Sequence, residues 1–324
     1  MSFNNKNKKP LQLLFLTGLI WGISFPVIKI SLQFLPPLPL LWYRLSIASL
    51  IFVPLALYSW KTSGEYLSLR RTILITLLGL SGPIASLTLL YLGMNLTYAS
   101  RAVLIMSLNP LITSMILNWF NRQNSKISLA ALAAAAGLII VIFEPLWLRG
   151  SPDYSRFTGN LLVLSAGIVW AASTWLSKIK YAKNIQRNSP ITLMALAFLG
   201  GTMALTPIVY FMNPNYILTP FSFILAPKIL LYGILYLSLI SSVMGFMTFE
   251  AAAKLVKPLI ASRFLYMQAL FGIPISILFL KEPLSLAFMA AAGIITLGIL
   301  GRENESKNTS SILSGNGSNL RLRK

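Results

Sequence analysis

The chain contains apolar runs that are long enough to cross a lipid bilayer as helices. The segment Leu13–Arg44 predicts one apolar helix that stops at Pro36-Pro37 and a second that restarts near Pro39. A helix of about 20 apolar residues, at about 1.5 Å per residue, matches the ~30 Å hydrocarbon thickness of a bilayer. Charged residues make up 10% of the 324 residues, against about 25% in soluble domains. We therefore predict an all-α integral membrane protein.

A four-residue pattern in the first apolar segment occurs again 149 positions later. The pattern comprises a glycine, a tryptophan, a serine and a lysine, and the spacing between them is the same in both copies. The matched pairs are Gly18 and Gly167, Trp21 and Trp170, Ser24 and Ser173, and Lys29 and Lys178. This repetition predicts that one membrane unit occurs twice in the chain.

Ten apolar segments follow from the sequence, five in each unit. They lie at 11–32, 38–58, 72–95, 102–120 and 127–148, and then at 159–177, 190–211, 229–249, 258–280 and 284–301. The predicted organisation is a tail (1–10), a first unit (11–148), a polar connector (149–158), a second unit (159–301) and a polar, disordered tail (302–324). Because five is odd, the two units cross the membrane in opposite orientations and form inverted repeats.

The distribution of basic residues predicts the orientation of the chain. The net charge is +20, and 20 of the 27 Lys and Arg residues lie in the tails and the even-numbered loops. Positive residues mark the cytoplasmic side of a membrane, which places both termini in the cytoplasm and the connector outside. The charge excess faces anionic lipids, so no nucleic-acid partner is expected. The predicted location is the bacterial inner membrane, as a monomer or homodimer.

The chain contains Trp21-Gly22 in the first helix, Arg44 in the second, Asn109-Pro110 in the fourth and the turn LKEPLS at 280–285. Together these motifs resemble the EamA-type branch of the drug/metabolite transporter superfamily. The resemblance implies ten-helix carriers that work by alternating access, many of them exporters of metabolites, amino acids or toxic compounds. Gln123 stands where the first half of the family usually has a glutamate, and Ala269 stands at the counterpart of Pro110, so the resemblance does not name the substrate.

Ionisable and polar side chains inside a bilayer are functional candidates because burying them is costly. The candidate substrate-binding residues are Arg44, Trp21, Ser24, Lys29, Asn109, Trp170, Ser173 and Gln268. Lipid headgroups are an alternative for both cations. We favour headgroups for Lys29 and a fixed bidentate partner, such as a carboxylate, for Arg44.

The remaining candidates also leave alternatives open. The equivalent mid-helix positions of Trp21 and Trp170 favour a pocket lining over interfacial anchors. Asn109 and Gln268 either bind substrate or join helices by hydrogen bonds. Glu250 is the only acidic residue predicted inside the membrane and the candidate for proton coupling, although its spacing to Lys254 favours a structural ion pair.

The sequence contains no cysteine and no histidine. Histidine is the commonest metal ligand and the usual proton shuttle near neutral pH. Because it is missing, we expect no metal site, no cofactor and no enzymatic activity. The predicted function is a secondary transporter, and an exporter, of a small metabolite, amino acid or toxic compound, with membrane lipids as its surroundings. The alternatives are a lipid-handling, flippase-like protein or a membrane-embedded enzyme. A channel is less favoured, since no filter-like loop is found.

Overall fold

The computed structural model describes residues 8–63, 68–120, 129–147, 151–176, 189–219, 224, 227–253, 255–256 and 266–298. The regular structure of these residues is helical, as predicted, and contains no strand. The helices of the first half are α1 (Lys8–Ser31), α2 (Pro37–Ser63), α3 (Leu69–Leu96), α4 (Ala99–Ser107), α5 (Asn109–Phe120) and α6 (Leu129–Trp147). Those of the second half are α7 (Tyr154–Leu176), α8 (Pro190–Met212), α9 (Asn215–Leu218), α10 (Lys228–Ala252), α11 (Met267–Leu280) and α12 (Leu286–Gly298).

Six helical stretches in the described residues are long and apolar enough to cross a membrane. They are the stretches in α1, α2, α3, α8 and α10, and the run Ala99–Ile116 that combines α4 with most of α5. Shorter apolar helices of 10–17 residues occur in α6, α11 and α12. Helix α7 has 23 residues but is not among the six. Both predicted tails lie largely outside the described residues.

Helices α4 and α7 begin earlier than the hydrophobic pattern predicts, and polar side chains cap the start of each. Helix α7 begins at Tyr154, inside the predicted connector, and the Asp153 carboxylate accepts a hydrogen bond from the backbone N–H of Arg156 at 3.0 Å. Helix α4 begins at Ala99, where a carboxylate from the other half of the chain accepts the first backbone N–H groups. Such caps satisfy N–H groups that a helix leaves free at its start.

The helices of the two halves pack against one another in corresponding pairs. Helix α1 packs against α11 and α10, while α7 packs against α5, α4 and α3. Helices α2 and α8 pack against each other, and they also contact α10 and α3 respectively. The described core is therefore built mainly from contacts between the halves.

Glycines allow the closest of these contacts. A Cβ atom at Gly22 of α1 would lie 2.8 Å from the carbonyl oxygen of Gln268 in α11, and one at Gly272 would lie 2.9 Å from the carbonyl oxygen of Gly22. Small residues let helix backbones approach in membranes, where packing rather than water drives association. The α1–α11 contact thus depends on the absence of side chains at both positions.

Helices α3 and α10 each contain a π-helical segment, at Leu80–Ile84 and Tyr236–Met244 respectively. A π turn widens a helix locally and changes the direction of its side chains, and such segments are frequent at functional sites. Ser241 and Ser242 lie in the segment of α10 and are fully buried. Both serines contact a buried arginine, which is described next.

Candidate functional site

The two halves enclose a central cavity of about 70 Å³. Helices α1 to α5, α7, α10 and α11 all contribute to its wall. The lining residues are Trp21, Ser24, Phe25, Ile28, Arg44, Ser86, Leu87, Leu90, Met106, Asn109, Trp170, Ser241, Phe246 and Gln268. Six of the eight predicted substrate-binding residues are in this set. The central cavity is therefore the candidate functional site.

Arg44 supplies the only charge among the lining residues and is 3% exposed. Its Nε donates to Ser242 Oγ at 2.8 Å, and its Nη2 donates to Ser241 Oγ at 3.1 Å. Its Nη1 donates to the hydroxyl of Tyr91 at 3.1 Å. Arg44 therefore does not reach the headgroups. These partners are neutral hydroxyls, not a carboxylate of the kind that we predicted.

The π segment of α10 brings its serines to Arg44. Ser242 Oγ donates to the carbonyl oxygen of Leu237, five residues earlier, at 2.9 Å, which leaves its lone pair free to accept from Arg44. Ser24 of α1 lies 2.7 Å from Ser241 through their hydroxyl oxygens. The sequence analysis missed Tyr91, Ser241 and Ser242, and the adjacent serines within an apolar helix were the only available signal.

Aromatic rings form one side of the central cavity. The Trp21 and Trp170 rings meet edge to face with centroids 6.3 Å apart, and Phe246 lies 5.2 Å from Trp21 and 6.3 Å from Trp170. The indole N–H of Trp21 donates to the carbonyl oxygen of Ser241 at 3.1 Å. The site thus combines a guanidinium with an aromatic surface.

Asn109 and Gln268 are both buried and both line the central cavity. The Asn109 Nδ2 lies 4.0 Å from the sulfur of Met106, and its Oδ1 has no hydrogen-bond partner among the described residues. Buried polar atoms without partners are rare in proteins. Asn109 therefore has unused hydrogen-bonding capacity at the site.

Two predicted site residues lie outside the cavity lining. Lys29 does not extend to headgroups, because its Nζ donates to the carbonyl oxygens of Met94 at 2.8 Å and Thr97 at 2.6 Å, at the end of α3. This contact suits a cation, since a helix C-terminus carries partial negative charge. Ser173 donates to the carbonyl oxygen of its own helix at Trp170, 2.7 Å away.

Glu250 is half-buried in α10 and does not line the central cavity. Lys254, its predicted partner, lies outside the described residues. The predicted proton-coupling residue therefore stands apart from the cavity that holds Arg44.

A second, larger cavity lies where α3, α6 and α11 end and α4 and α7 begin, and we call it the end cavity. Its volume is about 640 Å³. The lining residues are Thr97, Tyr98, Arg101, Glu144, Pro145, Ser151, Pro152, Asp153, Tyr154, Arg156, Asn160, Pro283, Leu284 and Ser285. The sequence analysis did not identify this cavity, because its walls come from segments that are far apart in the chain.

Buried polar contacts join the two halves beside the end cavity. Glu282 accepts hydrogen bonds from the backbone N–H groups of Ala99 at 2.6 Å and Ser100 at 2.8 Å. Arg101 forms a bidentate pair with Glu144, at 2.6 and 3.0 Å, and also donates to the carbonyl oxygen of Pro283 at 2.8 Å. Glu144 and Glu282 are both buried, and neither was a candidate in the sequence analysis.

Comparison with known proteins identifies the family. The sequence model of the EamA-like transporter family matches residues 8–144 and again residues 157–301. Two proteins of Archaeoglobus fulgidus, each named "Uncharacterized transporter", are 26% identical over 294 and 289 residues. These alignments cover 90% and 88% of this chain, and 96% and 95% of the relatives. The "Uncharacterized transporter YvbV" of Bacillus subtilis is 24% identical, with 93% of each chain covered.

A solved crystal structure shares the fold. It superposes with a TM-score of 0.58 at 14% identity, and the match covers 90% of this chain and 94% of the other. The two family matches also agree with the duplication predicted from the repeated tryptophan motif. Together with the apolar helices, they establish an integral membrane protein built from two related halves, and the chain belongs to the EamA-like transporter family.

Proposed function

We propose that the protein is a secondary transporter that moves a small molecule across the bacterial inner membrane by alternating access. The family and the relatives named as transporters support this proposal. One observation carries it most directly. Arg44 lies buried between the halves, its hydrogen-bond partners are neutral hydroxyls, and aromatic rings stand beside it.

The proposed architecture has ten crossings. Its candidates are the six long stretches, the three shorter apolar helices and α7. With ten crossings, the connections after odd-numbered crossings lie on one side of the membrane, and several contacts join these connections. Lys29 at the end of α1 reaches Thr97, Arg101 at the start of α4 reaches Pro283, and Tyr43 near the start of α2 donates to Tyr216. The connections after odd-numbered crossings would therefore share one side, the predicted outside.

The packing also supports an inverted relationship between the repeats. Helix α1 of the first half packs against α10 of the second, and α7 of the second half packs against α3 of the first. The two contacts are equivalent if α1 corresponds to α7 and α3 corresponds to α10. The two π segments occupy the exchanged pair α3 and α10. In inverted-repeat transporters the substrate site lies between the repeats, near the midplane. The central cavity has this position relative to the two halves.

The lining favours a substrate that has an anionic group and an apolar or aromatic part. An anion would replace weak neutral partners of Arg44 with a charge-assisted, bidentate contact, and the tryptophans would cover the apolar part. A cavity of about 70 Å³ is smaller than the roughly 300–1,000 Å³ of typical ligand sites. The two repeats would have to move apart to admit such a molecule, as alternating access requires. We propose export as the physiological direction, following the family resemblance.

Transport by purified protein in liposomes tests the proposal. Counterflow should be measured across a panel of organic anions, amino acids, organic cations and neutral analogues. We expect saturable transport of at least one compound with an anionic group, and its loss in Arg44→Gln. Absence of transport with simultaneous movement of a fluorescent phospholipid would favour the lipid-handling alternative. Equal transport by wild type and Arg44→Gln would refute the role of Arg44.

A further inference from the structure

The end cavity holds two arginines and two carboxylates, but these four groups differ in how fully they are paired. Glu144 is 5% exposed, and both of its oxygens are engaged by Arg101 and Ser285. Arg101 uses its Nε and both Nη atoms on Glu144, Ser100 and Pro283. Every nitrogen of the Arg101 guanidinium and both oxygens of Glu144 therefore already have a partner within the protein.

Both oxygens of Asp153 also have a partner. Its Oδ1 accepts the backbone N–H of Arg156 at 3.0 Å, and its Oδ2 lies 2.9 Å from Arg156 Nη1. The backbone N–H of Asp153 in turn donates to the carbonyl oxygen of Pro145, at 2.9 Å, which holds the residue against the end of α6. Both carboxylates of the cavity are therefore paired with arginines of the same cavity.

Arg156 is the group with donors left over. Only its Nη1 has a partner in the part of the chain that the structure describes, and its side chain is 31% exposed. The guanidinium lies over the ring of Tyr98, 4.4 Å from the ring centroid. This contact holds the guanidinium against the ring, while its Nε and Nη2 have no partner among the described residues. A half-exposed ion pair with Asp153 is worth little, so a second anion could join or replace that partner at low cost.

We propose that the end cavity is a binding site for small organic anions, held by Arg156 on the Tyr98 ring. The cavity has the volume of a ligand site. Its carboxylates are paired while Arg156 has donors without a described partner, so the cavity favours negative charge. Asp153 and Arg156 lie between the two segments that match the family model, so both residues belong to the segment that links the repeats. That the anion held here is also the transported molecule rests on the proposed function, whereas the binding itself does not.

Single-cysteine labelling tests the inference, because the chain contains no other cysteine. Ser151 lines the end cavity and is exposed. In Ser151→Cys protein, the rates of reaction with an anionic and a cationic methanethiosulfonate of similar size report the local charge. We expect the anionic-to-cationic rate ratio to fall about threefold or more in Arg156→Gln and to rise in Asp153→Asn, as one unit charge at short range implies. Asparagine keeps the helix cap, which makes Asp153→Asn a matched control.

Benzoate serves as the probe of binding, with benzylamine and benzyl alcohol as cationic and neutral analogues. Benzoate should slow the labelling of the Ser151→Cys protein, more strongly when Asp153→Asn is added and much less when Arg156→Gln is added. Arg156→Lys, which keeps the charge but not the planar fork, should give intermediate protection. The inference is overturned if Arg156→Gln leaves the protection unchanged or if benzylamine protects equally well.

The same measurement in an Arg44→Gln background separates this inference from the proposed function. Protection by benzoate should persist there, since the end cavity does not include Arg44. Loss of protection would place the benzoate in the central cavity and refute the end-cavity site. Conversely, intact protection in a protein that transports nothing would uphold the site while the proposed function fails.

Discussion

Trp21 and Trp170, which occupy matching positions in the two repeats, lie edge to face in the wall of the central cavity with ring centroids 6.3 Å apart. Duplicated segments have therefore placed equivalent side chains next to each other in one site. The polar residues of the site do not follow this symmetry. Arg44 comes from the first half and bonds to serines of the second, so each half supplies a different part of the chemistry.

Arg44→Lys should insert and fold but transport poorly. A lysine has a single point charge and cannot reproduce the three hydrogen bonds to Tyr91, Ser241 and Ser242 or a bidentate contact with an anion. We expect the apparent affinity to fall about tenfold, which corresponds to ~1.4 kcal/mol. The comparison is Arg101→Lys. This change should lower thermal stability instead, because Arg101 forms a buried ion pair with Glu144. Normal transport by Arg44→Lys at equal expression would contradict the assignment.

Gly22→Ala should destabilise the contact between α1 and α11. The added methyl group would lie 2.8 Å from the carbonyl oxygen of Gln268, and overpacking of this kind costs about 1–3 kcal/mol. Gly293→Ala is the matched control, because a Cβ atom there meets nothing within 4 Å. Thermal unfolding in detergent should separate the two variants. Equal melting temperatures would show that the helices can move apart without cost.

Glu282→Ala should weaken the junction of the two halves at the end cavity. The change removes both acceptors of the Ala99 and Ser100 N–H groups, and each buried donor left unpaired costs about 1–3 kcal/mol. Glu282→Gln, which keeps one oxygen, should lose less stability. Thr296→Ala removes an exposed hydrogen bond within α12 and serves as the control. The prediction fails if Glu282→Ala and Thr296→Ala unfold at the same temperature.

Glu250→Gln should leave the pH dependence of transport unchanged. Glu250 is half-buried in α10 and is not part of the central cavity wall, so its charge is not placed to exchange with a substrate on Arg44. The measurement is uptake into liposomes driven by a pH gradient, with counterflow exchange as the control for folding. A variant with normal counterflow but no response to the gradient would make Glu250 the proton carrier.

The inverted-repeat topology predicts opposite accessibility for the two loops that flank the sixth crossing. Ser151→Cys should react with an impermeant thiol reagent in intact cells, while Lys183→Cys should react only after permeabilisation. The reason is that basic residues between 178 and 187 hold their loop on the cytoplasmic side. Labelling of residue 183 from outside would overturn the proposed orientation.

Local sequence determined the helical class, the duplication and six of the residues that line the central cavity. Apolar runs can satisfy their backbone groups inside a bilayer only as helices or closed barrels, so their length and lack of alternation sufficed to predict the helices. The repeated motif placed Trp21 and Trp170 at equivalent points, and Arg44 was recognisable as a charge within an apolar segment. These inferences needed no knowledge of how the helices pack.

Only the tertiary structure decided which polar groups meet. Glu282 and Ala99 are 183 positions apart, and Arg44 and Ser242 are 198 positions apart, so no local pattern relates them. The rotation of each helix and the π segment of α10 select these partners. Lys29 illustrates the same limit, because lipid headgroups and the carbonyl groups that end α3 are equally acceptable to an ammonium group. The packing of α1 beside the end of α3 places the carbonyl groups within reach, and that packing is a property of the whole fold.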